Sequence, residues 1–307
     1  MSPKVSLLGI IGPTGIGKSD VAISLARRIP GEIVCVDSMQ VYRGVDCGTG
    51  KPSAQALREI PHHGINLVEP EQEFNVARYL EFVRPAIESI RNKGKIPILA
   101  GGSGLYFRGL RRGLSSAPGE NPVLREQLTA QAHAEGVENL HAKLQRVDPA
   151  ASGRIHSNDL RRIVRALEVF LSTGKPLTAW HQESEKQAQS QKQGRIFFGL
   201  RCAREMLYRR IEDRIDRWLS DGWLEEAQEL SKRKLSRTAG EALGYQELFS
   251  YLRGELDWET TVARIKQNSR RYAKRQETWF RREPGIQWID VDGKNPEQAA
   301  DMVMSKL

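Results

Sequence analysis

Gly12-Pro13-Thr14-Gly15-Ile16-Gly17-Lys18-Ser19 stands between the apolar stretch Val5-Ser6-Leu7-Leu8-Gly9-Ile10-Ile11 and Val21-Ala22-Ile23-Ser24-Leu25-Ala26, whose apolar residues recur at helical spacing. A strand, a glycine-rich turn and a helix, in that order, predict a phosphate-binding loop of the P-loop type. Glycines let backbone N–H groups close around phosphate oxygens, and the N-terminus of a helix adds a favourable dipole. Lys18 brings a point charge, and the Ser19 hydroxyl is placed to ligate Mg2+. A glycine-rich turn that merely caps a helix is the plainer alternative, and the full pattern in its context outweighs it. The loop predicts a phosphorylated ligand without saying whether that ligand is a nucleotide.

Outward from this loop, Glu32-Ile33-Val34-Cys35-Val36 reads as a second buried strand and Ile96-Pro97-Ile98-Leu99-Ala100 as a third. In an open α/β sheet, ligands sit beyond the carboxyl ends of the strands. Asp37 closes the second strand and is therefore expected near the mouth of the glycine loop, as a Mg2+ ligand, a general base or the N-cap of the next segment. The third strand runs into Gly101-Gly102-Ser103-Gly104, aimed at the same crevice. A turn that needs positive φ explains those glycines but not Ser103. Helical spacing runs from about Val76 to Ile90, and Gly48-Thr49-Gly50-Lys51-Pro52-Ser53 is a loop rich in turn residues. His62 and His63 are adjacent, so they cannot both face one site in a strand or a helix, which argues against a metal there.

At Leu114 the texture changes, and Ser115-Ser116-Ala117-Pro118-Gly119-Glu120-Asn121-Pro122 reads as a boundary. Residues 114–194 are expected to form a helical insertion that ends in a solvated linker from Ser184 to Gln193. The core would then consist of residues 1–113 and 195–307. Within the insertion, Ser157-Asn158-Asp159 offers caps to a helix from Leu160 to Phe170. Arg161, Arg162 and Arg165 share one side of it, and arginines at a helix start oppose the dipole, so a phosphate partner would justify them.

The core resumes with a strand at Arg195-Ile196-Phe197-Phe198-Gly199-Leu200. Helices come next over Glu205 to Leu219, Trp223 to Leu230, Gly244 to Leu252 and Asp257 to Arg282, and a short strand from Ile286 to Asp290 is expected at the sheet edge. On the last helix Ile265, Tyr272, Gln276 and Trp279 fall on one side. Arg264, Arg270, Arg271, Lys274, Arg275, Arg281 and Arg282 fall on the other, with only Glu277 nearby to offset them. A solvated face usually mixes signs, so this one predicts contact with a phosphate backbone.

A chain of 307 residues suffices for one large domain or two smaller ones. Met1-Ser2-Pro3-Lys4 runs straight into the first strand, so no signal peptide is expected, and no apolar run approaches the length of a membrane span. Cys35, Cys47 and Cys202 lack CxxC spacing and a nearby histidine, which suits reduced thiols in a cytoplasmic protein. The net charge of +9 suits a polyanionic partner. Nothing suggests an apolar dimer patch, so a monomer is expected. The fold class expected is α/β, a P-loop NTPase-like parallel sheet core with a helical insertion domain.

Several of these stretches together resemble one family. Gly12-Pro13-Thr14 with Gly17-Lys18-Ser19, Val36-Asp37-Ser38-Met39-Gln40-Val41-Tyr42-Arg43-Gly44 and Gly48-Thr49-Gly50-Lys51-Pro52 are similar to motifs of the tRNA dimethylallyltransferases. So are Gly101-Gly102-Ser103-Gly104-Leu105-Tyr106, Arg162-Ile163-Val164-Arg165-Ala166-Leu167-Glu168, Gly244-Tyr245 and Lys274-Arg275-Gln276-Glu277-Thr278-Trp279-Phe280. The matches keep their order along nearly the whole chain, and the segment from Asp37 through Pro52 is the most specific.

The resemblance implies a transferase, not an ATPase. In this family the loop from Gly12 to Ser19 would hold the diphosphate of dimethylallyl diphosphate with Mg2+ assisting, and the acceptor is the exocyclic N6 amine of the adenine just 3′ of the anticodon. Asp37 matches the general base, and Arg214 would help stabilise the leaving pyrophosphate. Ser38, Met39 and Gln40 match the segment that holds the base. Ser103 stands where the family usually carries threonine, and would help fix the adenine or the diphosphate. Arg125, Arg161, Arg162, Ile163, Val164 and Arg165 would grip the anticodon stem-loop of the tRNA. Two further departures are Gln246, where many members have Lys or Arg, and the lack of a Cys/His pair after Arg282. The second removes the zinc finger of eukaryotic members and favours the bacterial type.

Three rivals share parts of this pattern. An adenylate isopentenyltransferase acting on free AMP, ADP or ATP has the loop and the aspartate, but needs neither the insertion nor the cationic helices. A P-loop small-molecule kinase would account for the loop, with the insertion as a lid, and the segment from Asp37 to Pro52 argues against it. A non-catalytic RNA-binding protein would not need Lys18, Ser19 and Asp37 intact.

Overall fold

The computed structural model describes residues 5–113, 117–189 and 194–307. Met1–Lys4, Leu114–Ser116 and Ser190–Gln193 lie outside them. The start of the expected boundary, the end of the expected linker and the segment read as excluding a signal peptide therefore fall outside the described residues. The chain forms two compact units, one of residues 1–110 with 193–307 and one of residues 111–192.

The first unit is built on six parallel strands, β1 (Leu7–Ile11), β2 (Gly31–Val36), β3 (His62–His63), β4 (Ile96–Gly101), β5 (Arg195–Arg201) and β6 (Ile286–Asp290), in the spatial order β3-β2-β4-β1-β5-β6. The central strands are mostly apolar because both faces of a parallel sheet are covered, with the ion-paired Glu32 of β2 as an exception. Leu8, Ile10, Ile11, Ile33, Val34, Val36, Ile98 and Leu99 are all buried. The register aligns the strand ends, since Ile11 and Val36 both pair with Gly101. Gly12, Asp37 and Gly102 therefore leave the sheet side by side. The expected strands are present, and β6 forms the edge as anticipated. β3 is an addition, two residues long and paired only with β2.

The helices of the first unit longer than six residues begin with α1 (Lys18–Arg28), α2 (Val76–Asn92) and α3 (Gly104–Arg112), which runs into the second unit. The second unit has α4 (Pro122–Glu135), α5 (Val137–Val147), α6 (Leu160–Thr173) and α7 (Leu177–Gln189). The first then resumes with α8 (Arg204–Ser220), α9 (Trp223–Ser231), α10 (Tyr245–Leu252), α11 (Trp258–Arg281) and α12 (Pro296–Met304).

The second unit has helices and no strand among its described residues, and its core gathers Leu128, Leu140, Leu144, Ile163, Val164 and Leu167. α6 begins where the caps predicted it, with the Asp159 carboxylate accepting from the Arg162 N–H, and it ends at Gly174 in the left-handed conformation. The linker expected from Ser184 needs correction, because α7 continues through Gln189. Gln, Glu, Lys and Ala are good helix formers, so a polar run of them extends a helix as readily as it solvates a loop. No helix of the described residues is long and apolar enough to cross a membrane.

Candidate active site

The glycine loop leaves β1 and enters α1 as the spacing required. Gly15 and Gly17 adopt φ of +81° and +92°, which a side chain would strain. Gly17 caps α1 with no side-chain bond, leaving the first N–H groups of the helix to an outside acceptor. Lys18 Nζ folds back to donate to the Pro13 carbonyl at 2.8 Å. Burial pushes that ammonium down to about 7, with the nearby Arg214 adding to the effect and Asp37 opposing it.

Arg214 comes from α8. Its Nη2 donates to Thr14 Oγ1 at 2.6 Å, and its guanidinium lies 4.4 Å over the Trp218 ring. Burial, then Arg217, pushes its pKa down to about 10, and its buried Nε has no hydrogen-bond partner. Two cations thus stand at low proton affinity beside a set of free N–H groups, a place completed by an anion. An open cavity of about 300 Å³ runs along this side of the loop, with Arg210, Arg214, Arg217 and Lys294 on its walls against Asp20 and Asp213.

Asp37 follows β2. Its Oδ1 accepts from Met39 N at 2.8 Å and Gln40 N at 3.3 Å. The carboxylate therefore closes a turn, and no helix comes after it to be capped. Burial raises its pKa, while the two N–H groups, Lys18 and Arg214 pull it back. The result is an anion near two cations with a proton affinity above that of an ordinary carboxylate.

Ser103 follows β4. Its Oγ accepts from the Ser38 N–H at 3.0 Å and its own N–H donates to the Val36 carbonyl at 3.1 Å. The turn that carries it corrects the expectation of positive φ, because Gly101, Gly102 and Gly104 are not in that region. These glycines are needed for close approach. A Cβ would strike the Val36 carbonyl at Gly101, the Gln276 side chain at Gly102 and the Trp279 ring at Gly104.

Gln276 of α11 is the residue the sequence reading left out of the site. Its Oε1 accepts from the Thr14 N–H at 2.7 Å and its Nε2 donates to the Gly102 carbonyl at 2.9 Å, joining the glycine loop to the Ser103 turn. The signal was a glutamine on the apolar side of an otherwise amphipathic helix. Tyr272, one turn earlier, faces the same place. Burial and the Asp37 charge raise its hydroxyl, and Ser103, Arg275 and Gln276 oppose that rise. Ser19 Oγ sits at the first turn of α1 with no hydrogen bond among the described residues. Those residues contain no cluster of three or more His, Cys, Asp or Glu able to hold a metal.

The residues expected to grip an RNA divide differently. Glu168 is buried and holds Arg125 at 3.1 Å and Arg165 at 2.7 Å, while Arg165 also donates to the Pro118 and Gly119 carbonyls. Arg162 pairs with Asp159 at 3.2 Å. Ile163 and Val164 are core residues, so their side chains have no surface to offer. Of that set Arg161 alone is both exposed and without an ion pair among the described residues.

On α11 the pattern is the reverse. Arg270 is neutralised by Glu212 and Arg281 by Glu277. Arg264, Arg271, Arg275 and Arg282 are exposed, lie within about 40° of one line by helical spacing and have no carboxylate partner among the described residues. Arg275 does lie 5.6 Å from the Tyr272 ring.

The model of the IPP transferase family matches residues 40–283. The tRNA dimethylallyltransferase of Geobacter metallireducens is 47% identical over 293 residues, covering 95% of this chain and 94% of its own. That of Symbiobacterium thermophilum is 42% identical over 306 residues, covering 99% and 95%. Among solved structures, the full-length tRNA isopentenylpyrophosphate transferase of Bacillus halodurans matches with a TM-score of 0.70 at 35% identity, over 99% of this chain and 97% of that one. A eukaryotic dimethylallyltransferase acting on tRNA matches with a TM-score of 0.77 at 28% identity, over 98% and 79%.

Proposed function

This chain belongs to the IPP transferase family, and on that premise we propose that it transfers the dimethylallyl group of dimethylallyl diphosphate to N6 of the adenine 3′-adjacent to a tRNA anticodon. The observation that carries this reading is the meeting of Asp37, beyond β2, with Lys18, beyond β1, and with Arg214 of α8, at the carboxyl end of the sheet where β4 separates those two strands. A carboxylate of raised proton affinity stands within the field of two cations that form no ion pair among the described residues.

The chemistry follows from that pairing. The N6 amine forms a bond to C1 of the dimethylallyl group while the C–O bond to the diphosphate breaks, and its electrons leave with pyrophosphate. Asp37 accepts the proton that the amine must shed. Charge gathers on the departing oxygens, where the loop N–H groups, Lys18 and Arg214 meet it. An adenine stacked in an anticodon loop reaches such a crevice only when extruded, and the segment from Ser38 to Gln40 adjoins Asp37 to receive it. Ser19 Oγ is the group that would hold Mg2+, an ion that keeps most of its shell as water and phosphate oxygen and asks few ligands of the protein. When bound it would neutralise charge on the diphosphate. The unpaired cations of α11 support a polyanionic acceptor. A mononucleotide needs no such row. The enzyme is taken to work as a cytoplasmic monomer.

The test is incubation of the pure protein with Mg2+ and labelled dimethylallyl diphosphate, offering bulk tRNA and AMP in parallel. Label is expected in tRNA alone. Label in AMP would move the protein to the adenylate branch, and label in neither would return the kinase reading, to be tried with ATP.

A further inference from the structure

Gln40 is buried beside Asp37, to whose carboxylate its backbone N–H donates. Its side-chain nitrogen donates twice, to the Thr49 carbonyl at 3.0 Å and the Gly50 carbonyl at 3.1 Å. Only an NH2 group can meet two carbonyls, so the orientation of the amide is fixed by chemistry. The oxygen is left without a protein donor among the described residues. An amide oxygen accepts and cannot donate.

The loop that presents those two carbonyls is itself held from outside. Glu226 of α9 accepts from Asp46 N at 3.1 Å and from Cys47 N at 3.0 Å, and it also accepts from the Tyr245 hydroxyl. That hydroxyl accepts in turn from Gly48 N at 3.1 Å. Three successive N–H groups are thus gathered by one carboxylate and one phenol. Gly48 of the loop and Gly244 at the start of α10 leave no room for a Cβ against Trp223, so both backbones pack directly on that side chain.

We propose that Glu226 and Tyr245 are positioning residues that fix the hydrogen-bonding sense of Gln40, and through it favour an acceptor base bearing an amine where a rival base bears a carbonyl. The inference rests on the transferase reading above. A purine with an amine at its six position gives the Gln40 oxygen a donor, whereas one with a carbonyl there sets two acceptors face to face. Freed from Thr49 and Gly50, the Gln40 amide can turn over and serve either base.

The experiment compares affinities for two synthetic anticodon stem-loops that differ only in carrying adenosine or inosine at the target position. The wild type is expected to prefer adenosine by roughly tenfold. Tyr245→Phe keeps the ring and its packing, and Glu226→Gln keeps the shape of the acid. Each should bring that ratio towards one while pyrophosphate affinity stays unchanged. In a Gln40→Ala background neither should alter the ratio further, which a role in general stability would not produce.

A ratio unchanged in both variants overturns the proposal, and so does a wild type indifferent to the two bases. Failure of the transferase reading would show separately, as no label transferred by the wild type. Amide exchange over residues 46–48, faster in Tyr245→Phe than in the wild type, reads the pinning of the loop without any activity, and equal exchange would also overturn it.

Discussion

Lys18 and Asp37 have proton affinities shifted in opposite senses, and each shift leads to a measurement. Burial pushes the Lys18 ammonium down to about 7 in the free protein, and a bound diphosphate must raise it. Below that value the proton is present in both states. Above it, binding takes up a proton, so affinity falls by up to about tenfold per pH unit until the pKa of the complex is reached. The diphosphate titrates as well, so the quantity to track from about pH 6 to 9 is the ratio of pyrophosphate affinities of the wild type and Lys18→Met. It should shrink as pH rises, and a constant ratio would mean an ammonium charged throughout. For Asp37, burial raises the carboxyl above its ordinary value. Asp37→Asn keeps an oxygen to accept the Met39 and Gln40 N–H groups but cannot take a proton from an amine. Transfer should fall by about a hundredfold or more while stem-loop affinity holds, as single-turnover rates and filter binding would report.

At the scale of elements, α11 connects the parts of the site, because Gln276 bonds the glycine loop on one side and the Ser103 turn on the other. Gln276→Leu leaves the Thr14 N–H and the Gly102 carbonyl unpaired, at a cost of about 1–3 kcal/mol for each buried group. Part of that cost should appear as a pyrophosphate affinity lowered by about tenfold in titration calorimetry, with more modest loss of helix content. Equal affinities would leave Gln276 a packing residue. This element also shows what was legible in advance. The strands of the sheet other than β3 were, because their residues are mostly apolar, and so was the loop before α1, because its spacing has a mechanism. The site role of Gln276 was not, since it depends on a partner 262 positions away in the chain. β3 is too short to leave a period, and the run after Ser184 has a composition that fits a helix and a linker alike. Arg125 and Arg165 were legible as charges, but their neutralisation by a buried Glu168 is a property of packing.

Over the whole molecule the net charge is +9, and its use is decided by where cations remain unpaired. Arg264, Arg271, Arg275 and Arg282 line one side of α11 for about 27 Å at the rise of an α-helix, whereas Arg125, Arg162 and Arg165 are all engaged by carboxylates. Each phosphate neutralised on a single strand steepens the fall of affinity with salt by about 0.7 in logarithmic slope. Arg275 touches Tyr272 and is best left alone. Replacing Arg264, Arg271 and Arg282 by glutamine should therefore weaken stem-loop binding at low salt and flatten its slope by roughly 2. The Arg161→Gln variant should change that slope by less than about 1, and pyrophosphate affinity should stay put in both. The measurement is stem-loop affinity across a series of potassium chloride concentrations. If the Arg161 variant flattens the slope and the triple variant does not, the RNA backbone runs over the helical insertion and the row on α11 is merely solvated.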